Sequence, residues 1–411
     1  MKSYCPHHSM VHRGRIGEWS NIHTGTISLF YVKGEREMVN WERKIVSVGI
    51  DLHTTQFTTC AITPAGDILQ EEKYPTTEEG YASFIEWCHK VEEEYEVKVE
   101  MAIEATGNAR YFRNIMQHEG FYVVVINTLH FKVVVQSSKK TDWHDAELIA
   151  RFLLKDMLPE SYLCDQETEE LRKLLSERSD LVSVIVKTKN KIHNMLRGYG
   201  INTTGAQFQS KKKRQQLLND LEDHKLYTKH AAKTLEMLLS TLTVLEEQVN
   251  EIELLIDEFI EDDEVVERLK TIPGVGKITA STLRAYIGDI NRFDTYKQFA
   301  AYCGLTPFVK YSNEKGYTGH ITKNGPTELR TSMVQAVMGM LRLQKAISGI
   351  SLISKYKKMK RTKGSGISII AFARKLSRII YVMLKTGTDF DSSKLNDGEY
   401  DVLTNKTQEA S

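Results

Sequence analysis

The sequence predicts three folded parts: a mixed α/β domain over 44–160, a coiled-coil arm over 161–262, and a mostly α-helical domain over 263–387. Three observations carry this reading. From Ile45 to Thr128, β-branched runs with period-two alternation take turns with helical periods. From Leu235 to Phe259, apolar residues keep a heptad spacing without a break. Beyond residue 262, helical segments surround a glycine turn of helix-hairpin-helix type. A chain of 411 residues also exceeds one ordinary core.

Composition narrows the class. Hydrophobic content of 41% and charged content of 27% are those of a soluble globular protein, which argues against a disordered chain. No apolar run reaches the roughly 18–20 residues that span a bilayer, and the N-terminus lacks the apolar core of a signal peptide. Cys5, Cys60, Cys88, Cys164 and Cys303 form no CxxC pair, as expected in a reducing cytoplasm. The net charge of +1 hides an asymmetry. Leu341–Lys385 has twelve Lys or Arg and no acid, whereas Thr388–Ser411 has six acids against two Lys. A surface for a polyanion is expected in the first segment.

Residues 1–43 show no clear period and read as a poorly ordered extension. Cys5, His7, His8 and His12 match no zinc spacing. Domain-like sequence begins only after Met38, which is therefore a candidate natural start. IVSVGIDLH is a strand ending near Asp51, and FTTCAITPAGDILQEEKYP is two more strands around a Pro64–Asp67 turn. Thr77–Tyr95 is helical, VKVEMAIEAT is a strand ending at Glu104, Asn108–Glu119 is a helix, and FYVVVINT is a buried strand. Three antiparallel strands followed by αβαβα suggest a mixed sheet covered by helices.

The last helix of that series lies in KKTDWHDAELIARFLL. Asp142 and Asp145, three apart, share one face of its first turn. On local grounds alone a capped, solvated helix start is the favoured reading, since acids suit a first turn. With Asp51 and Glu104 at strand ends, however, four carboxylates converge outside the carboxyl edge of a sheet, where α/β sites gather. Such a quartet could hold Mg²⁺, with Mn²⁺ as the alternative, in the two-ion arrangement of phosphodiester chemistry.

Leu171, Leu174, Leu181, Ile185, Ile192 and Met195 keep a 3/4 spacing broken by Arg178 and Thr188. The heptads then resume at Leu235, Leu238, Leu242, Leu245, Val249, Ile252, Ile256 and Phe259, after a turn-rich connector, Gly198–Lys213. An antiparallel or oligomerising arm is expected, with two bundle helices as the alternative. LKTIPGVGKITASTLRAYIGD reads as a helix-hairpin-helix whose glycine turn admits a DNA phosphate, with Lys277 adding charge; a purely structural hairpin competes. Gly304, Pro307, Gly316, Gly319 and Gly325 mark an ordered loop holding Lys310, Ser312, His320, Lys323 and Arg330. A hydroxyl among cations suits covalent attack on a phosphodiester. Helices Leu329–Leu343 and Ser368–Leu384 flank a basic linker with Lys355, Lys357, Lys358, Lys360, Arg361 and Lys363, and 388–411 reads as a disordered acidic tail.

Five motifs in order, VGIDLH, AIEATG, KTDWHDAELIARFL, IPGVG and GLTP…YS…GHITKNG…LR, resemble the bacterial transposases of insertion-sequence family 110, the bridge recombinases. The resemblance runs from about Ile45 to Leu384. It implies a RuvC-like domain of RNase H fold with the acidic tetrad at Asp51, Glu104, Asp142 and Asp145, and a nucleophile at Ser312. It further implies a composite site in a homo-oligomer (dimer or tetramer), donor and target DNA, a noncoding guide RNA, and a nucleoid-associated cytoplasmic location. Ser312 precedes Asn313 where the family usually has Gly; Asn tolerates left-handed backbone angles. No GxxxxGK[ST] loop is present. The function expected is DNA strand exchange through a serine–DNA link. The alternatives are a hydrolytic RuvC-type nuclease and a non-enzymatic DNA-binding scaffold.

Overall fold

A computed structural model describes residues 23–24, 27–32, 35–39, 44–128, 131, 141–225, 228–312, 315–343, 345 and 351–393, with the side chains at 23–39, 309–318 and 351 left aside. The chain divides into two compact units, Met1–Leu163 and Cys164–Ser411. Cys5, His7, His8, His12 and the tail from residue 394 lie outside the described residues. Within the extension expected to lack order, the backbone forms a small antiparallel sheet of β1 (His23–Thr24), β2 (Ile27–Val32) and β3 (Glu35–Val39).

The first unit is built on a five-stranded mixed sheet in the order β6 (Ile68–Pro75), β5 (Gln56–Ile62), β4 (Ile45–Leu52), β7 (Lys98–Glu104), β8 (Tyr122–Ile126). β4, β5 and β6 pair antiparallel, and β7 and β8 add in parallel. Side chains alternate across a strand, and the burial follows that rule. Val46, Val48, Ile50 and Leu52 meet Val99, Met101 and Ile103 in a core covered by helices α1 (Glu78–Tyr95) and α2 (Ala109–His118). Phe57 stacks there on Tyr81 at 5.4 Å, and Thr77 caps α1 by accepting from the Gly80 N–H.

The other face packs on α3 (Asp142–Leu154). There Ala102, Val124 and Ile126 meet Ile149 and Leu153, while Cys60 and Ile62 meet Ala146 and Ala150. Gly49 decides how close that helix comes. A Cβ at this position would stand 2.0 Å from the Ala146 carbonyl oxygen and 2.3 Å from the Ala150 nitrogen. Glycine in a strand interior weakens the strand but admits a second backbone. Asp51, two residues on, shares the Gly49 face.

The second unit contains an antiparallel helix pair, α4 (Gln166–Gly198) and α6 (Lys229–Ile260). Arg178 pairs with Glu253 and Lys189 with Glu246, so one helix ascends as the other descends. This accounts for the breaks in the apolar seam: Arg178 bridges to the partner helix at 2.6 Å, and Thr188 is buried. Phe259, the last heptad residue, is 37% exposed. The connector expected to be irregular ends in α5 (Lys211–Glu222) after a single 3₁₀ turn at Gly205–Phe208. Phe208, Leu217 and Leu221 close a distal core with Ile192, Leu196, Leu235 and Leu239.

At its base the helix pair joins the core of the C-terminal helices: Leu171, Leu175, Ile256 and Ile260 pack with residues of α7 (Glu264–Lys270), α8 (Lys277–Ile287), α9 (Tyr296–Tyr302), α10 (Thr327–Arg342), α11 (Ser351–Lys363) and α12 (Ser365–Thr386). α7 and α8, where a helix-hairpin-helix was expected, are joined by a turn over residues 271–276. Its Gly274, with φ +83°, has a packing role rather than the open one expected of it: a Cβ there would lie 2.3 Å from the backbone of Gly339 on α10. Two further expectations are corrected. The ordered loop is a β-hairpin, β9 (Pro307–Ser312) with β10 (Lys315–Ile321), and the basic linker is the helix α11. Among the described residues, no helix is long and apolar enough to cross a membrane.

Candidate active site

Parallel pairing of β4 and β7 places Ile50 beside Ile103, so Asp51 and Glu104 stand one residue further along adjacent strands. Both belong to the face that α3 covers, because they alternate with residues of the opposite core. The α3 N-terminus arrives at the same edge. Thr141 caps it by accepting from the His144 N–H, leaving Asp142 and Asp145 in the first turn. One geometry thus caps the helix and brings Asp142 to the edge where Asp51 stands.

Among the described residues, one group of three or more His, Cys or acid side chains brings its ligand atoms within 4.8 Å of one another: Asp51, His53 and Asp142. His53 Nε2 lies 3.1 Å from Asp51 Oδ2 and 3.7 Å from Asp142 Oδ1. Glu104 and Asp145 are outside this group, although the Asp145 charge acts on Asp51. Burial raises the Asp51 carboxyl above its ordinary value, and the Asp142 and Asp145 charges add to the rise while His53 opposes it. Asp142 behaves in the opposite way. Lys73 Nζ donates to its Oδ2 at 3.0 Å and holds it below the carboxylate range. The same ammonium lies 5.2 Å from the centre of the Trp143 ring.

Neither His53 nor Lys73 was assigned a role from sequence. His53 was readable in principle, since it follows Asp51 by two positions and neighbouring acids need a counter-charge. Lys73 was not, because β6 reaches the site only through sheet pairing. The donor set suits a divalent cation. Two carboxylates and an imidazole converge, with their ligand atoms within 4.8 Å of one another.

The second unit holds the other expected residues. Ser312 ends β9 and pairs in register with Lys315 across the hairpin; its side chain and that of Lys310 lie outside the described residues. The hairpin base is clamped by glycines. A Cβ on Gly325 would stand 1.9 Å from the Tyr302 carbonyl oxygen, and one on Gly304 would stand 2.4 Å from that of Asn324. His320 and Lys323 are exposed, and Lys323 adopts a left-handed φ of 56°. Arg330 donates to the Lys323 carbonyl at 3.1 Å, so it serves first to brace this turn. Lys277, expected beside a phosphate, is paired with Asp257 at 2.6 Å. Lys355, Lys357, Lys358, Lys360, Arg361 and Lys363 are all exposed on α11, whose Leu352 and Ile353 are buried. The thiols offer no competing nucleophile among the described residues: Cys60, Cys88, Cys164 and Cys303 are buried, and burial pushes Cys60 up to about 12.

Comparison with known proteins gives two family models and several relatives. A family model for the DEDD transposase domain of IS110, described as a transposase, matches residues 48–201, which include Asp51, Glu104, Asp142 and Asp145. A second, described as "Transposase IS116/IS110/IS902 family", matches residues 266–349, including Ser312. The chain is 29% identical over 294 residues to the transposase for insertion sequence element IS1328 of Yersinia enterocolitica, covering 71% of this chain and 85% of that protein. It is 25% identical over 344 residues to the transposase for IS1111A of Coxiella burnetii, covering 83% and 90%. The pilin gene-inverting protein of Moraxella bovis is 24% identical over 359 residues, covering 84% and 97%. With both family models matched in order and relatives aligned along most of its length, the chain belongs to the IS110 family of transposases.

Proposed function

We propose that this protein exchanges DNA strands through a covalent serine–DNA link formed by Ser312, assisted by a carboxylate site at Asp51, Glu104, Asp142 and Asp145. The observation that carries the reading is the convergence of Asp51 and Asp142 from distant parts of the sequence, at the carboxyl edge of parallel strands. The sheet supports an RNase H-like, RuvC-type fold: numbered within the sheet, its order is 3-2-1-4-5 with only strand 2 antiparallel to the rest.

In this mechanism the Ser312 hydroxyl loses its proton to a nearby base as its oxygen bonds phosphorus. One phosphorus–oxygen bond of the DNA breaks, and the released strand end takes up a proton as a hydroxyl. A hydroxyl of the partner strand then reverses the step, so bond energy is conserved and no nucleotide is consumed. Asp51, Glu104, Asp142 and Asp145 would hold a divalent cation, Mg²⁺ or Mn²⁺, which when bound supplies charge neutralisation to phosphoryl transfer. His320, Lys323 and Arg330 lie around the hairpin, and the cations of α11 contact nucleic-acid backbone. Lys310 belongs to the same proposal; Lys277 belongs to it through a shared role with Asp257. Target choice rests with a noncoding guide RNA, and the working form is a homo-oligomer acting at the bacterial nucleoid.

The decisive variant is Ser312→Ala. It is expected to abolish both strand exchange and the covalent protein–DNA adduct seen on denaturing gels. Undiminished DNA cleavage by Ser312→Ala would instead establish the second reading, a hydrolytic nuclease using the carboxylate site and water. That reading is favoured by one observation, that the carboxylate cluster forms within the first unit alone.

A further inference from the structure

The distal end of the arm carries a charge pattern that the candidate active site leaves unexplained. From Leu181 to Asn219 the sequence has eight Lys or Arg and no acid. Two of these cations are engaged within the arm, since Lys189 and Arg214 both bond Glu246. Lys187, Lys191, Arg197 and the run Lys211–Lys213 are exposed.

Two features of the local structure give this charge a direction. First, Lys187, Asn190, Asn194 and Arg197 recur every three or four residues on α4, so they share one exposed face. The opposite face, with Ile185, Ile192 and Leu196, is buried in the distal core. A polar concavity lies along the exposed face, walled by Asn190, Asn194 and Arg197 with Thr203 and Thr204 of the connector. His193 Nδ1 and Thr203 Oγ1 bond to fix that wall. Second, Lys211, Lys212 and Lys213 occupy the first turn of α5, which has no acid there. The helix dipole disfavours cations at that end. A local rule broken three times in succession has no folding rationale, and such conflicts belong to functional surfaces. A polyanion would relieve this one.

We propose that the arm tip docks on duplex DNA, with the Asn190–Asn194–Arg197 face toward the major groove and the lysines on the phosphates. Amide and guanidinium groups on one exposed helix face match the acceptors and donors that B-form DNA displays there. The major groove of A-form RNA is too deep and narrow for such a helix. At 33 residues, α4 is about 50 Å long, so the tip reaches DNA well beyond the arm's base. The proposal rests on membership of a DNA-acting family and is independent of the serine chemistry.

The test uses the full chain and a fluorescently labelled mixed-sequence DNA duplex, with binding followed by anisotropy over a series of NaCl concentrations. In the triple variant Lys211→Glu, Lys212→Glu, Lys213→Glu, the plot of log K against log [NaCl] is expected to become shallower by about 2–3, with about tenfold or greater loss of affinity. Acids favour a helix first turn, so circular dichroism should retain the helix content and exclude unfolding as the cause. Asn190→Ala with Asn194→Ala should narrow discrimination between duplex sequences while keeping the slope. An unchanged slope in the triple variant would overturn the docking surface. Unchanged discrimination would overturn the groove orientation, and an equal loss on an RNA duplex of the same sequence would overturn the assignment to DNA. The covalent adduct reads the serine chemistry and the salt slope reads the lysines, so failure of the serine mechanism and failure of this proposal are separable.

Discussion

Single residues set the site through contacts that look unlike catalysis. Gly49 has no side chain, and that absence lets α3 lie on the sheet and bring Asp142 to Asp51. Gly49→Ala is expected to cost about 1–3 kcal/mol in chemical denaturation, as overpacking does. Because the helix must retreat, Mn²⁺ binding measured by calorimetry should weaken as well; full affinity would show that Gly49 serves stability alone. Lys73 illustrates a charge effect. It holds the Asp142 carboxyl low, so in Lys73→Met that carboxyl should titrate nearer to the ordinary value of about 3.9, as followed by NMR. The stability linked to this depression is present above the unfolded value and is lost as pH falls through the folded one. Wild type and variant should therefore converge in stability in acid.

Elements show where periodicity was readable and where it misled. The arm was visible because the heptads of α6 are long and uninterrupted, and the two breaks in α4 proved to be a cross-helix ion pair at Arg178 and a buried Thr188. In α11 the helical signal, Leu352, Ile353 and Tyr356, was outnumbered by lysines that face solvent, so the segment read as a linker. The hairpin β9–β10 was hidden by glycines, which weaken any strand signal although Gly304 and Gly325 in fact clamp its base. Within the arm, Glu246 joins Lys189 and Arg214. Burial works to raise its carboxyl, but the bonds from Arg214 and Lys189 outweigh it and hold the group low. Glu246→Gln should cost on the order of 2 kcal/mol at neutral pH. Its folded value is depressed, so that cost should shrink as pH falls below the ordinary glutamate value and vanish once wild-type Glu246 is protonated. A pH-independent difference in urea unfolding would count against this account.

At the scale of the molecule, the carboxylates lie in one compact unit and the Ser312 hairpin in the other. The arm leaves Met237 and Leu254 63% and 64% exposed, apolar surface that a second copy of the chain would cover in the proposed oligomer. Met237→Lys with Leu254→Lys should lower the mass measured by light scattering. An unchanged mass would place the contact between copies elsewhere.

The sequence by itself determined the order of strands and helices over 45–154, the acids at strand ends and the arm, because each follows from local period and chain direction. It also carried the family motifs, since motif order needs no coordinates. Only the tertiary structure decided that His53 and Lys73 join Asp142, that Gly274 meets Gly339 instead of opening to a phosphate, and that Lys277 is bound to Asp257. The physical reason is common to these cases. A residue's type fixes what it can bond, but its partner is chosen by packing between segments far apart in the chain, which no local pattern encodes.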